Sequence, residues 1–411
     1  MIPPHPLTIL VILLSVVFDG LFIDQNIAMC NLWLGFRRPA LTNWGCSSNT
    51  NVCQWKGISC DSCGNVINFA LNNQNLVGTI STSVGLLTAL SFVNFGGNSL
   101  SGTIPTEIGQ LTALQVLAFY LNRLKGTIPT EYGHLTRLSY LAFYSNSFSG
   151  KIPTQYGQLT ALQTLVFNTN SLAGTVPTEY GRLTGLSYLG FFTNSFSGTI
   201  PTEYGDLNRL TYLGLCNNTF TGTIPTEYGQ LTALQDLEFE TNHLTGTIPT
   251  EYGRLTRLTY LGFYSNSFTG KIPTEYGLLT ALQNLAFYFN RLKGTIPTEY
   301  GRLTGLTYLA FGGNSFAGKI PSGFGQLTRL RSLYLNNNIL TGTIPNVFSN
   351  FASLTYLDLS TNSLTGSVPS SVCNLQSSVQ VYYSGNPSLA GCSGTFCKQK
   401  LFPIIEQNLF F

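Results

Sequence analysis

The chain has 411 residues, enough for two or three ordinary domains, but only 9% of them are charged, against about 25% in a typical soluble protein. Its apolar content of 43% excludes a disordered chain, and a net charge of +3 without any block of Lys or Arg gives no indication of nucleic-acid binding. The low charge needs a structural reason, and a repeat in the sequence supplies one.

The chain begins with a short apolar run, LTILVILLSVVF, from Leu7 to Phe18. A bilayer span takes about 20 residues, so this run is too short to cross a membrane and suits the core of a signal peptide. We therefore predict a signal peptide over residues 1–24, with the apolar start of a capping helix as the alternative. No later apolar run reaches spanning length, so we expect no membrane span.

The cysteines are concentrated at the two ends of the chain. The segment 25–65 contains five of the nine, which are Cys30, Cys46, Cys53, Cys60 and Cys63. Only Cys216 lies far from either end, and we expect it to be free. Cys60-x-x-Cys63 has the spacing of a redox or zinc half-site, but no second Cys or His pair accompanies it. We predict a Cys-rich N-terminal cap, an oxidising compartment and no metal site.

The central part of the chain, residues 66–372, repeats every 24 residues. LQVLAFYLNRLKGTIPTEYG from Leu114 returns as LQNLAFYFNRLKGTIPTEYG from Leu282. An Asn before x-Leu-x-Gly or x-Phe-x-Gly marks each repeat, at Asn98, Asn122, Asn146, Asn170, Asn194, Asn218, Asn242, Asn266, Asn290, Asn314, Asn338 and Asn362.

Each position of the repeat has a physical interpretation. Leu117 and Phe119 alternate along a short strand, which points both side chains into the core. The Asn that follows turns inward to bond to exposed backbone, Gly126 permits a tight bend, and Tyr132 closes the opposite side of the core. Because one coil cannot bury its apolar face alone, we predict stacked coils with parallel strands around one core.

The pattern L-x-x-L-x-L-x-x-N-x-L-x-G-x-I-P resembles the plant-type leucine-rich repeat over roughly residues 66–390. This resemblance implies an α/β-type solenoid: a right-handed leucine-rich repeat superhelix with a parallel concave β-sheet, short second strands at Gly-Thr-Ile-Pro and disulfide-bonded caps. In layout the chain resembles polygalacturonase-inhibitor-like proteins and receptor-like ectodomains, whose partners dock on the concave face.

The resemblance extends to the caps. Cys53-x-Trp-x-Gly-Ile-x-Cys60 is similar to the N-terminal cap motif of plant-type repeat proteins, which implies a Cys53–Cys60 bridge and leaves the other N-terminal pairings open. Residues 373–411 contain the last repeat, an apolar tail and three further disulfide candidates, Cys373, Cys392 and Cys397. Asn217 heads the only Asn-x-Ser/Thr sequon, so it is a glycosylation candidate unless the match is accidental.

Two rows of aromatic residues are expected on the outward face of the strands, where they alternate with the inward positions. Small residues such as Ala142 and Gly262 run between the rows, so we expect a shallow channel with aromatic walls. Tyr suits recognition of protein or carbohydrate, although strand propensity alone could explain its presence. The candidate ligand-binding residues are Tyr120, Tyr144, Tyr188, Phe192, Tyr212, Tyr260, Tyr264 and Tyr288.

One coil places three acidic residues, Asp236, Glu238 and Glu240, on the outward face of a single strand. Neighbouring carboxylates lie about 7 Å apart by strand rise, a spacing compatible with a glycosidase pair. However, we expect neither a walled pocket nor a raised pKa on an open sheet. We therefore add the three residues to the ligand-binding candidates, either as a place for a basic group or cation or as a mere variant of the repeat.

A second face carries Thr in register. One row follows each Pro, from Thr106 to Thr298, and another precedes each Ile, from Thr103 to Thr295. Regular Thr arrays resemble the surfaces of solenoid ice-binding proteins. Against this interpretation, Lys151, Lys271 and Lys319 interrupt the second row, and a row of Glu adjoins the first.

Taken together, these features predict a secreted or cell-surface protein without enzymatic activity, catalytic residues or cofactor. We expect it to bind an extracellular protein, a peptide or a cell-wall polysaccharide through the concave face. The alternative is an ice-binding or surface-adsorbing structural protein that acts through the Thr rows.

Overall fold

The computed structural model describes residues 20–37, 41, 43–46, 51–375 and 379–392. These residues belong to two units, Met1–Phe196 and Ser197–Phe411. Most of the predicted signal peptide, the apolar tail and Cys397 lie outside the described residues.

A short main strand recurs in each coil, as the alternation of Leu117 and Phe119 predicts. Strands one repeat apart pair in parallel with a shift of 24 residues, for example Leu117 with Leu141 and Leu261 with Leu285. Among the described strands, only the first two pair antiparallel. In the first unit the main strands are Ile58–Cys60, Val66–Ala70, Phe92–Asn94, Val116–Ala118, Tyr140–Ala142, Thr164–Val166 and Tyr188–Gly190. In the second unit they are Tyr212–Gly214, Asp236–Glu238, Tyr260–Gly262, Asn284–Ala286, Tyr308–Ala310, Ser332–Tyr334, Tyr356–Asp358 and Gln380–Tyr382.

Short second strands follow each main strand, but they lie earlier in the repeat than predicted. We expected them at Gly-Thr-Ile-Pro, whereas they begin before this Gly and end within one residue of it. Gly126 turns the chain with a φ of 87°, and the Pro that follows has no N–H to donate to a ladder. These strands are Val77–Gly78, Ser99–Gly102, Arg123–Gly126, Ser147–Gly150, Ser171–Gly174, Ser195–Thr199, Thr219–Thr223, His243–Thr245, Thr269–Gly270, Arg291–Thr295, Ser315–Gly318, Ile339–Gly342, Ser363–Ser367 and Ser388–Ala390.

Short 3-10 helices form the side of each coil opposite the main strand. Within them the repeated Tyr is fully buried, and its hydroxyl donates to a Pro carbonyl of the preceding coil, as Tyr156 does to Pro129 over 2.9 Å. The predicted core position of this Tyr is confirmed. The 3-10 helices are Val52–Gln54, Thr82–Leu86, Thr106–Gln110, Thr130–His134, Thr154–Gln158, Thr178–Arg182, Thr202–Asp206, Thr226–Gln230, Thr250–Arg254, Thr274–Leu278, Thr298–Arg302, Ser322–Gln326 and Phe348–Asn350.

The repeated Asn joins neighbouring coils through its side-chain amide, as predicted. The Asn290 nitrogen donates to the carbonyls of Phe263 and Phe287, at 3.0 Å each, and its oxygen accepts the N–H of Phe268 at 3.0 Å. Backbone groups left over at the end of one strand are thereby paired inside the core. The inward Phe residues stack between coils, for example Phe119 on Phe143 at 5.5 Å and Phe263 on Phe287 at 5.3 Å.

Both ends carry caps closed by disulfides. The N-terminal cap contains the helix Gly20–Gly35 and the bridges Cys30–Cys46 and Cys53–Cys60, the second of which is the one implied by the cap motif. The C-terminal cap contains the short helix Ser370–Cys373 and the bridge Cys373–Cys392. Among the described cysteines, Cys63 and Cys216 are free, so the expectation for Cys216 is confirmed.

The described part of the chain has no helix with the length and apolar character that crossing a membrane requires.

Candidate ligand-binding face

Stacked tyrosines stand on the outer face of the main sheet in the first unit. The rings of Tyr120 and Tyr144 are 4.9 Å apart and only 5° from parallel. Both residues lie two positions before the repeated Asn, so their spacing follows from the stacking of coils. Tyr188 and Phe192 occupy the two outward rows of a later coil. All four side chains are half-buried, which leaves part of each ring available to a ligand.

The second unit repeats this arrangement. Tyr264 and Tyr288 stack with ring centres 4.2 Å apart and an interplanar angle of 9°. Tyr212 and Tyr260 stand in the other outward row, each at the first position of a main strand, and are also half-buried. Burial raises the pKa of Tyr260, Tyr264 and Tyr288 above the ordinary phenol value, so these side chains are neutral at physiological pH.

The expected channel between the two aromatic rows is covered rather than open. Ala142 and Ala310, which belong to its floor, are 0% and 1% exposed. At Gly214 an added Cβ would lie 2.6 Å from the hydroxyl oxygen of Tyr212. The tyrosines therefore lie across the small residues of their own strands. A ligand on this face would contact aromatic rings instead of entering a groove between them.

In the acidic coil, carboxylates interrupt the aromatic rows. Glu238 is paired in register with Gly214 on one side and Gly262 on the other. The Tyr212 hydroxyl lies over Gly214, and the Glu240 carboxylate lies over Gly262. The Tyr212 hydroxyl donates to Glu238 Oε2 at 2.8 Å, and the Tyr260 hydroxyl donates to Glu240 Oε1 at 3.1 Å.

Burial perturbs two of the three carboxyl groups, so the expectation of unperturbed carboxylates was wrong. Glu240 is only 5% exposed although it occupies an outward position. Burial, reinforced by the charge of Glu238, raises the pKa of Glu240 to about 8. Burial also raises the pKa of Glu238, against the opposing effect of its bond from Tyr212. Neighbouring aromatic residues enclose this face more than an open sheet would.

Sequence reasoning missed part of the aromatic surface near the C-terminal cap. Tyr334 and Tyr382 occupy the middle outward position, which holds Ala or Gly in most coils. Tyr334 contacts Tyr308 at 5.5 Å and Tyr356 at 4.6 Å, and Tyr356 contacts Tyr382 at 5.3 Å between ring centres. The two expected aromatic rows lie two and six residues before the repeated Asn. Tyr334 and Tyr382 lie four residues before it, at a position where we expected only small residues.

The Thr rows lie away from the main sheet and are exposed. In the row that follows Pro, hydroxyls donate to the next Glu, as Thr226 does to Glu227 over 3.4 Å. In the other row the methyl groups point at the glycine of the next coil, because a Cβ on Gly246 would lie 2.6 Å from Thr223 Cγ2. Asn217 is half-buried, and its glycosylation stays a prediction.

Family models describe two stretches of the chain. The model described as "Leucine rich repeat" matches residues 328–387, and a second model, "Leucine Rich Repeat", matches residues 209–231. A curated relative, a probable inactive leucine-rich repeat receptor-like protein kinase of Arabidopsis thaliana, is 31% identical over 78 residues, which are 18% of this chain and 11% of the relative.

Solved structures match over most of the chain. The complex PEPR1–AtPEP1 has a TM-score of 0.82 at 29% identity and covers 88% of this chain and 52% of its own. The plant peptide hormone receptor RGFR1 in complex with RGF2 has a TM-score of 0.71 at 33% identity, covering 81% and 60%. A leucine-rich repeat protein of Leptospira interrogans has a TM-score of 0.56 at 30% identity, covering 79% and 84%.

The two receptor-type structures are longer than this chain, which spans 52% of one and 60% of the other. The matches support the resemblance to plant-type repeat proteins and receptor ectodomains. The curated relative is described as a probable inactive kinase and the RGFR1 structure as a peptide hormone receptor, which agrees with the expectation of a non-enzymatic repeat protein.

Proposed function

Because the chain belongs to the leucine-rich repeat family, we propose that it is a secreted or cell-surface interaction protein that binds a peptide or an extended protein segment on the outer face of its main sheet. The observation that carries this proposal is the stacked, half-buried tyrosines on that face, Tyr120 with Tyr144 and Tyr264 with Tyr288. Stacked rings offer rigid apolar area that costs little conformational entropy on binding, and their hydroxyls can bond to peptide groups.

The comparisons support a peptide over a carbohydrate ligand. One matched structure is a plant peptide hormone receptor in complex with RGF2, and its matched region covers 81% of this chain. The covered channel gives no groove for a sugar ring, whereas a peptide can lie across exposed ring faces. A cell-wall polysaccharide is therefore the less favoured partner.

Secretion is the second part of the proposal. The bridges Cys30–Cys46, Cys53–Cys60 and Cys373–Cys392 close both caps, and disulfides of this kind persist in oxidising compartments. The apolar run that begins at Leu7 suits a signal peptide.

Alanine substitutions on the aromatic face test the proposal. We expect Tyr144→Ala and Tyr264→Ala each to weaken binding of a peptide selected from a library by about 10-fold or more, since aromatic anchors dominate interface energies. Affinity would be measured by isothermal titration calorimetry. Leu278→Ala is the matched control, because it removes an exposed apolar side chain from the 3-10 helix side. Equal losses in the control and the Tyr variants would overturn the assignment of this face.

Ice or surface adsorption is a second candidate, favoured by one observation. Exposed Thr residues of the second strands pair in register between coils, Thr199 with Thr221 and Thr223 with Thr245. The Glu that accepts from each Thr of the neighbouring row interrupts this surface with charge. Recrystallisation inhibition by the purified protein, lost in Thr223→Lys and retained in Tyr264→Ala, would favour adsorption; no effect on ice growth would reject it.

A further inference from the structure

Cys216, Glu238 and Glu240 bring three possible metal ligands together on the outer face of the second unit. One ligand atom from each residue, the thiol sulfur and one oxygen of each carboxyl group, lies within 4.8 Å of the other two. The Cys216 thiol donates to Glu238 Oε2 at 3.4 Å. The cluster therefore combines Cys216, which the repeat pattern does not explain, with two carboxyl groups of the acidic coil.

The cluster contains a polar atom that the fold leaves unsatisfied. Glu240 is 5% exposed, and its Oε2 is buried without a hydrogen-bond partner among the described residues. Buried polar atoms are usually paired, and an exception calls for an explanation such as an unoccupied ion site. The flanking strands, Tyr212–Gly214 and Tyr260–Gly262, supply no Lys or Arg that could neutralise the carboxylates.

Two tyrosines orient the carboxyl groups. The Tyr260 hydroxyl donates to Glu240 Oε1, so that Oε2 is the oxygen left for another partner. On the other side, Tyr212 donates to Glu238. In metal sites, hydrogen bonds of this kind hold ligating side chains in place and strengthen binding.

We propose that Cys216, Glu238 and Glu240 form a binding site for one divalent cation of the Zn²⁺ type. A thiolate ligand selects Zn²⁺ and similar ions over Mg²⁺ and Ca²⁺, which take oxygen ligands. Three protein ligands leave a fourth tetrahedral position for water or for an atom of a bound partner. This proposal does not rest on the proposed ligand-binding function, because ion binding can be measured in the protein without a peptide.

The spacing suits such an ion after a small adjustment. Zn²⁺ bonds of about 2.3 Å to sulfur and about 2.1 Å to oxygen hold ligand atoms roughly 3.5 Å apart. The present atoms lie within 4.8 Å of one another, so shifts of about 1 Å along flexible Glu side chains close the site. Glu240 Oε2 lies over Gly262, and the missing side chain of that glycine leaves room for the Glu240 carboxylate.

Titration with Co²⁺ and Zn²⁺ tests the site in the full chain. The protein carries Cys63→Ser, which removes the other free thiol among the described residues, and it is first treated with a chelator. We expect a thiolate-to-Co²⁺ charge-transfer band with one ion per chain, which Zn²⁺ displaces. Cys216→Ser and Glu240→Gln should weaken Zn²⁺ binding by more than about 100-fold, and Tyr260→Phe by about 10-fold, as for an orienting residue.

Asp236→Asn is the matched control, because it removes a carboxylate of the same strand that lies outside the cluster. Its Zn²⁺ affinity should equal that of the parent. Circular dichroism establishes that each variant is folded, and Tyr260→Phe provides a mild alternative should Cys216→Ser or Glu240→Gln unfold. The proposal is overturned if the folded parent gives no thiolate band with Co²⁺, or if Cys216→Ser and Glu240→Gln bind Zn²⁺ as tightly as the parent.

Discussion

At the scale of single residues, the repeated Asn explains how coils of 24 residues stay in register. The residue before this Asn adopts the left-handed backbone conformation, which glycine usually occupies. Phe289, for example, has a φ of 54°. Such a conformation costs about 1–2 kcal/mol for an L-residue. Four hydrogen bonds of the next side chain, Asn290, offset this cost. Those with the Phe263 carbonyl and the Phe268 N–H tie the turn to the preceding coil.

Replacing this Asn should destabilise the fold strongly. Asn290→Ala removes four hydrogen bonds and leaves the Phe263 carbonyl and the Phe268 N–H without that partner, at a cost of about 2–3 kcal/mol. Asn284→Ala in the same coil is the control, because Asn284 lies on the outward face. Urea unfolding measures both. Similar stabilities of the two variants would contradict the role assigned to the repeated Asn.

Glu240 should make stability depend on pH in the metal-free protein. Its pKa rises from 4.5 to about 8 on folding, so between these values the folded chain holds a proton that the unfolded chain has lost. The free energy of unfolding therefore falls as pH rises through this window. Glu240→Gln removes the titration, and its stability relative to the parent should increase from about pH 5 to about pH 8.5. Urea unfolding with chelator present measures this, and a stability difference that stays constant over this pH range would contradict it.

At the scale of elements, the buried tyrosines of the 3-10 helices bind each helix to the preceding coil. Tyr156 is 0% exposed and its hydroxyl reaches the Pro129 carbonyl of the coil before it. The second strand of that coil ends at Gly126, before Pro129, so no strand partner pairs this carbonyl. The tyrosine thus pairs a backbone group that secondary structure leaves over.

Removal of one such hydroxyl should have a measurable cost. Tyr156→Phe keeps the ring but leaves the Pro129 carbonyl buried and unpaired, so we expect a loss of about 1–2 kcal/mol in the free energy of unfolding. Tyr120→Phe is the control, since Tyr120 is half-buried on the outer face. If chemical denaturation gives equal stabilities for the two variants, the hydrogen bond does not contribute as stated.

The elements could be predicted from the sequence to different degrees. The main strand and the inward Asn depend on a local pattern that recurs in each coil, and both were confirmed. The second strand was misplaced because its end is set by the left-handed turn at Gly126, which a consensus motif does not display. The 3-10 helices have no periodic signal of their own and were not predicted.

At the scale of the whole molecule, the caps protect the ends of the repeat core. In the N-terminal cap, Phe36 and Trp55 are 1% and 2% exposed, and Phe36 meets Phe95 at 5.4 Å. A solenoid without such caps would expose apolar surface at its ends. Disulfides in both caps reduce the freedom of the unfolded chain near these points.

Removing the C-terminal bridge should therefore lower stability. Cys373→Ser opens a loop of 19 residues closed by the Cys373–Cys392 bond; for a loop of this size we expect a cost of about 3 kcal/mol. Cys63→Ser is the matched control, because Cys63 is a free, exposed cysteine. Thermal unfolding under oxidising conditions compares the two. A melting temperature unchanged by Cys373→Ser would contradict a structural role for this bridge.

The candidate site was less predictable than the fold. The outward rows of Tyr follow from strand alternation, but the sequence could not show that Tyr212 lies over Gly214 or that Glu240 is enclosed. Such features depend on side-chain orientation between coils, which a repeat pattern does not encode. For the same reason the approach of Cys216 to Glu238, across 22 residues, emerged only from the structure.

The central claim is that the outer face of the main sheet binds an extended peptide. The most direct measurement is the affinity of one selected peptide for the parent protein, for Tyr144→Ala and Tyr264→Ala, and for the control Leu278→Ala, by calorimetry under identical conditions. We predict a loss of about 10-fold or more in each Tyr variant, because aromatic anchors carry most of the binding energy, and an unchanged affinity in the control. Parent-like affinity in both folded Tyr variants would contradict the claim.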